Sequence, residues 1–259
     1  MSRQQLRQTF GEDAELYDRV RPTYPPELFD ELAGLVGEHP KVLEIGPGTG
    51  QATAAMVARG WPVTAVELSP GLADVLRRKF PMIDVLVADF DTWDLPIGAF
   101  DLVISATAFH WLDPATRIGR CVEVLRPGGA LAVVSTHHVA GGSEQFFVDV
   151  EDCYERFTDD QAKGGLPAAD NVPEDSAGLG RSGVFGSVES RSFVRDLDYS
   201  TAEYLELLSS YSGHRALTIE RRDGLYDCIG ALIEATGGSI TKRYLNQLSV
   251  GISLNQPLA

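Results

Sequence analysis

Along the first half of the chain, short apolar runs alternate with stretches of helical spacing. Residues 42–45, VLEI, form the first run and break into a glycine-rich turn, behind which 52–58 read as a helix. Residues 63–66 are a second strand ending at Glu67, and 83–88 a third ending at Asp89. Between them GLADVLRRKF, 71–80, has helical periodicity. FDLVIS, 100–105, is continuously apolar, as a strand buried on both faces should be. Residues 117–125 are helical and stopped by Pro127-Gly128-Gly129, and LAVVS, 131–135, is a fifth strand. This repetition predicts a parallel sheet with helices on both faces and right-handed crossovers.

The second half changes character. Residues 143–157 are helical, and 158–186 are rich in Asp, Gly, Ala, Pro and Ser, which predicts a long loop. VESRSFVRDL, 188–197, alternates like a strand, 201–211 and 216–235 have helical spacing, and 240–252 contain a final strand. The two helices between the last strands suit a lid over the sheet. No internal repeat or low-complexity tract interrupts the pattern.

Composition narrows the function classes. With 259 residues, 44% hydrophobic and 23% charged, the chain suits one globular domain with a substantial core. Its 22 Lys and Arg against 37 Asp and Glu give a formal net charge of -15. Such a field repels DNA or RNA and makes a small molecule the better expected partner. The densest basic stretches, Arg77-Arg78-Lys79 and Arg221-Arg222, read as solvated helix faces. No apolar run reaches the ~18 residues of a membrane span, and the N-terminal MSRQQLRQTFGEDAELYDRV lacks the apolar segment of a secretory signal. Cys121, Cys153 and Cys228 are far apart and form no C-x-x-C, so they are expected to be reduced thiols of a cytoplasmic protein, with no metal site.

The turn after the first strand reads VLEIGPGTGQ. Gly46, Gly48 and Gly50 permit a sharp turn and close approach of a ligand, while Gln51 stands where a dinucleotide fingerprint would have its third glycine. Glu67, about 20 residues on, is placed to accept both hydroxyls of a ribose. Glu44 lies inside the strand, and a buried carboxylate is costly unless paired, so it is expected to face a cation. That disfavours a pyrophosphate and favours the ammonium and sulfonium of S-adenosylmethionine. Asp89 suits the adenine amine, with Phe90 covering the ring.

Taken in order, VLEIGPGTG, VTAVELS, VADFDTWDLP, FDLVISATAFHWLD and LRPGGALAVVS resemble the motifs of class I S-adenosylmethionine-dependent methyltransferases of the type 11 kind. YDRVRPTYP together with AFHW is similar to the branch containing trans-aconitate-type carboxyl methyltransferases. The resemblance implies an α/β, Rossmann-like, doubly wound sheet of seven strands, mostly parallel with an antiparallel last strand. It implies one methyltransferase domain over 1–259: an N-terminal helical cap at 1–40, a cofactor-binding core at 41–140, and 141–259 carrying the remaining strands with a helical lid at about 200–238. The cofactor set it implies is Tyr17, Arg21, Glu44, Gly46, Gly48, Gly50, Gln51, Glu67, Leu68, Asp89, Phe90 and Ala106. Phe109, His110, Trp111, His138, Tyr211 and Arg215 are the substrate-binding candidates, and His110 is the candidate base. The expected reaction is in-line methyl transfer to a small molecule, on a carboxylate or hydroxyl oxygen, where positioning alone is worth ~7–11 kcal/mol. A carboxylate acceptor needs no base; a hydroxyl, amine or carbon acid does.

Plainer readings compete residue by residue. Glu44 is otherwise a satisfied acid at a helix start, and Asp89 a turn cap like Asp91 or Asp94. Tyr17 and Arg21 otherwise pin an N-terminal helix, His110 otherwise only packs beside Phe109 and Trp111, and Arg215 otherwise forms a surface salt bridge. Three rival functions remain: an NAD-dependent oxidoreductase, an S-adenosylmethionine-binding module without catalysis, and a nucleic-acid methyltransferase. The last lacks an Asn-Pro-Pro-Tyr-like tetrad after the fourth strand.

Overall fold

The structure, a computed structural model, describes residues 13–159, 165–174 and 177–254, so the expectation for the first twelve residues lies outside it. Seven strands form one sheet: β1 (Val42–Ile45), β2 (Val63–Glu67), β3 (Asp84–Val87), β4 (Phe100–Ala106), β5 (Leu125–Gly142), β6 (Phe185–Ser200) and β7 (Ser239–Ser253). Their order is β3-β2-β1-β4-β5-β7-β6. The first five pair in parallel, with Val42 opposite both Val63 and Leu102, and the last strand is antiparallel. The expected Rossmann-like, doubly wound fold is what the chain adopts.

The described α-helices are α1 (Ala14–Val20), α2 (Pro26–Val36), α3 (Thr53–Ala58), α4 (Pro70–Lys79), α5 (Arg117–Val124), α6 (Glu144–Phe157), α7 (Thr201–Ser209), α8 (Ser212–Arg215) and α9 (Ile219–Ala235). Local chemistry sets several of their ends. Ser69 caps α4 by accepting from the Leu72 N–H, Pro70 opens the helix, and Arg77-Arg78-Lys79 fill its last turn, where positive charge favours the helix dipole. One of the two dense basic stretches is thereby accounted for without a polyanion. Ser200 and Glu203 form a reciprocal capping box that turns β6 into α7.

The chain divides into two compact units that interleave along the sequence. The first comprises 22–136, 173–193 and 246–259. Its strands bury both faces. Val42, Leu102 and Ile104 join Leu28, Phe29 and Leu32 of α2 and Met56 of α3, whereas Leu43, Ile45 and Val103 join Phe90 and Cys121. Alternate residues of β1 and β4 thus enter different cores, as strand geometry requires, which explains their continuous apolarity. The second unit comprises 1–21, 137–172 and 194–245, and has its own core of Phe146, Leu207, Leu225, Ile229 and Tyr244 among others.

Two expectations need correction. Pro127-Gly128-Gly129 does not separate a helix from a later strand; it lies inside β5. Phe100 faces Leu125, yet Leu102 faces Ala130, so the intervening residues bulge out of register. A Cβ on Gly129 would lie 2.9 Å from the Arg126 carbonyl oxygen and 3.1 Å from that of Asp101, which is why this bulge needs glycine. The cysteines also differ from expectation. Cys121 is a buried free thiol, but Cys153 and Cys228 form a disulfide across a sequence separation of 75. Linear distance concealed it, because α6 and α9 pack together and bring the two Cα atoms to 5.9 Å.

Candidate functional site

The strand order reverses between β1 and β4, with β2 and β3 beyond one and β5 beyond the other. In an open parallel sheet, ligands lie at such a switch point, outside the carboxyl ends of the strands. The residues leaving β1 and β4 therefore shape the site. Gly46, with φ of 65°, leaves β1 so close to the segment after β4 that a Cβ on it would sit 2.6 Å from the Ala108 Cβ. Gly50, with φ of 99°, would strike the Phe80 ring at 2.5 Å. Both conformation and space require glycine here.

Glu67 ends β2 and is only 5% exposed. Its Oε2 accepts from the Gly48 N–H at 3.1 Å and its Oε1 from the Ser69 N–H at 2.8 Å. The acid is thus a strut between the glycine turn and α4. An ionised carboxylate is an acceptor-only group with about four lone-pair sites, the chemistry that a pair of hydroxyls requires. A phosphate-binding turn aims its N–H groups at the ligand. Here the Gly48 N–H is committed to a carboxylate.

Glu44 alternates onto the α3 face of β1 and is 1% exposed, where its Oε2 accepts from the Thr53 hydroxyl at 2.6 Å. The plainer reading of a satisfied acid at a helix start describes its contact. Burial nevertheless pushes its pKa up to about 7, against the Thr53 hydrogen bond and with added repulsion from Glu67. Gln51 donates to the Thr49 hydroxyl at 2.7 Å, and Leu68 and Ala106 sit half-buried at the ends of β2 and β4. Asp89 accepts from the Asp91 N–H at 3.1 Å and so also stabilises its own turn.

Two of the aromatic candidates are core residues. Phe90 is 2% exposed, packed in the core with the Arg120 guanidinium 5.5 Å from its ring centroid. Phe109 is 3% exposed, with the Arg117 guanidinium 4.4 Å from its ring centroid. Apolar side chains beside a functional segment were drawn into the core below it. His110 and Trp111, on the same 3-10 turn (Phe109–Trp111), face outward, with His110 exposed and the rings 4.9 Å apart.

A polar chain at the ends of β4 and β5 escaped the sequence reading. The Tyr24 and Thr107 hydroxyls lie 2.8 Å apart, those of Thr107 and Thr136 3.1 Å apart, and Asn246 donates to Thr136 at 2.8 Å. Thr107 has φ of 54°, the one non-glycine residue with positive φ among those described. A β-branched residue held there stores about 1–3 kcal/mol, a strain that clusters at ligand sites. Thr107 immediately precedes Ala108, the residue opposite Gly46. Tyr24 stands in the quoted N-terminal motif, but nothing in the sequence couples it to the other three.

Tyr17, Arg21, His138, Tyr211 and Arg215 belong to the second unit. Arg21 lies between two rings, 4.8 Å from the Tyr17 centroid and 4.5 Å from that of Tyr211, and donates to the Ser210 carbonyl at 2.7 Å. Arg215 donates to the Ser209 carbonyl at 3.0 Å. His138 packs edge-on to Tyr244 at 5.2 Å, and burial, with the Lys242 and Arg21 charges, holds its pKa down to about 2. It is therefore neutral at physiological pH.

Residues 43–133 match the family described as methyltransferase domain. An uncharacterized methyltransferase of Mycobacterium bovis is 41% identical over 133 residues, covering 51% of this chain and 54% of that protein, so the chain spans about half of its length. An uncharacterized methyltransferase of Schizosaccharomyces pombe is 28% identical over 231 residues, 87% of each chain. A candidate type II methyltransferase from Anaeromyxobacter dehalogenans has the same fold, with a TM-score of 0.63 and 22% identity, over 91% of this chain and 99% of that one.

Proposed function

We propose that this chain, which belongs to the class I S-adenosylmethionine-dependent methyltransferases, transfers a methyl group from that cofactor to an oxygen of a small molecule, a carboxylate or a hydroxyl. The observation that carries the reading is the Gly48–Glu67 hydrogen bond. It turns a loop that would otherwise collect phosphates into one presenting a carboxylate. The turn at Gly46 and Gly50 leaves no room for a Cβ, and the acid beside it is an acceptor of the kind that ribose hydroxyls require, so the residues present fit an adenosyl group.

In this reading Glu67 holds the ribose and Asp89 the adenine amine. Glu44 supplies negative charge beside the glycine turn, and Gly46 brings backbone close to the methionyl part. When bound, S-adenosylmethionine supplies a methyl group activated on a sulfonium. The chain itself positions the acceptor, and positioning is the main contribution asked of it. For a hydroxyl acceptor, His110 is the exposed titratable group after β4, and the Tyr24–Thr107–Thr136–Asn246 chain is the ordered set of hydroxyl donors and acceptors. A carboxylate acceptor needs neither as a base.

The test is calorimetric. S-adenosylhomocysteine should bind the folded chain and NADH should not; the reverse pattern defeats the reading and restores a nicotinamide enzyme. Release of S-adenosylhomocysteine against a panel of acids, phenols and amines then separates an enzyme from a binding module. The reading places the protein in the cytoplasm. The Cys153–Cys228 disulfide opposes that placement, since such bonds persist mainly in oxidising compartments. A thiol count on protein isolated from its source decides the point: three free thiols favour the cytoplasm.

A further inference from the structure

Lys242 of β7 places a titratable amine inside the second unit, only 1% exposed. Its Nζ lies 5.2, 5.7 and 5.3 Å from the ring centroids of Tyr204, Tyr211 and Tyr244. Three rings around one amine make a cage. No described hydrogen bond or ion pair reaches Lys242. Burial holds its pKa well below the ordinary value, and the charge of Arg21 pushes in the same direction.

The groups around it are of one kind. Arg21 is a fixed cation. His138 packs on Tyr244, and His137 and Lys242 add to the positive field at that imidazole. The Tyr199 and Tyr244 hydroxyls are 3.0 Å apart, and the Tyr211 hydroxyl is hydrogen-bonded to Tyr244 as well. An amine buried this deeply carries a charge only when a counter-ion joins it, and no described acid supplies one. A buried charge is costly unless it is paired. In a chain of net charge -15 this arrangement cannot be credited to a general excess of base.

We propose that Lys242 anchors an anion-binding site in the second unit, built with the Tyr204–Tyr211–Tyr244 cage and Arg21, which takes a carboxylate or a phosphate group. The anion completes the ion pair. The site is built from residues of the second unit alone and does not depend on the methyltransferase reading.

The experiment is titration calorimetry on the full chain at low ionic strength, with inorganic phosphate and, separately, citrate as the tricarboxylate probe. One of them should bind saturably, and which one does tells phosphate from carboxylate. Lys242→Met should weaken that binding at least about tenfold, as loss of a charge-assisted hydrogen bond implies, and Lys242→Arg should keep part of it. Repeating the wild-type titration in buffers of different ionisation enthalpy should show proton uptake, because the ammonium is held below its ordinary pKa and the anion draws a proton onto it. The wild-type measurement stands even if Lys242→Met fails to fold. Absence of saturable binding of either probe to wild type overturns the proposal, as does undiminished binding by a folded Lys242→Met chain. S-adenosylhomocysteine is titrated into the same samples. Its binding without anion binding sinks only this proposal, and anion binding without it sinks only the cofactor reading.

Discussion

The two compact units concentrate opposite charges in their interiors. The first gathers carboxylates at strand ends, Glu44 at 1% and Glu67 at 5% exposure, beside a glycine turn. The second gathers Lys242 and Arg21 among tyrosine hydroxyls. Lys242 has no described ion pair, and Glu44 is hydrogen-bonded to a hydroxyl rather than to a cation. The contrast teaches that one chain can carry two incomplete electrostatic sites, each suited to a ligand of the other sign. The acidic one suits an adenosyl sulfonium. The basic one suits a carboxylate or phosphate.

The largest expected effect breaks the acidic side. Glu67→Ala removes both the strut to Gly48 and the acceptors proposed for the ribose. S-adenosylhomocysteine affinity should fall about 100-fold or more, at roughly 1.5–3 kcal/mol for each hydrogen bond to a charged group. Glu67→Gln keeps one acceptor oxygen and should lose less. An unchanged dissociation constant for a folded Glu67→Ala chain means that the ligand lies elsewhere.

A second contrast concerns how the units are held together. The first has two apolar cores flanking the sheet, whereas the second has one core and a covalent link between α6 and α9. The paired substitution Cys153→Ser with Cys228→Ser should cost about 2–4 kcal/mol, read as a shift of the urea midpoint of the full chain. Hydrogen exchange should locate the loss in α6 and α9, leaving β1, β2 and β4 as protected as before. Uniform loss of protection sinks the idea that the bond serves the second unit alone.

The same contrast explains what could be read in advance. The acidic site belongs to one run of alternating elements, so Glu44, Gly46, Glu67 and Asp89 are each marked by their position at a strand end. Periodicity gave the strands, and the chain-order rule for parallel sheets placed their tips together. The bulge in β5 was hidden because proline and glycines read as a stop, although here they serve close backbone approach to Asp101. The core position of Phe90 and Phe109 was hidden because an aromatic beside a functional residue has the same letter whether it faces ligand or core. The basic cage had no linear signature. Arg21, Tyr204, Tyr211 and Lys242 come from α1, α7, the junction before α8, and β7, and only packing brings them together. Lys242 lies in ITKRYLNQLSV, a stretch that marks a final strand and nothing more.

The smallest effect sharpens the acidic side through pH. Burial raises the Glu44 pKa from 4.5 to about 7, so its proton is held more tightly in the folded chain than in the unfolded one. The sign follows from linkage: stability that this proton contributes is fully present below the unfolded pKa and is lost as pH rises through about 7. The ligand-free chain should therefore lose stability between pH 4.5 and 7, of the order of 3 kcal/mol if this group acts alone. A cationic ligand favours the ionised acid and opposes that loss. Affinity for S-adenosylmethionine should accordingly rise about tenfold from pH 6 to pH 8, with release of up to one proton on binding near pH 6. S-adenosylhomocysteine, which lacks the sulfonium, should show a shallower rise. Glu44→Gln keeps a hydrogen-bond acceptor for Thr53 but cannot ionise, so it should flatten the affinity profile and remove this part of the stability loss. A wild-type profile as flat as that of Glu44→Gln, in a chain that still binds the cofactor, means that Glu44 does no more than secure α3 through Thr53.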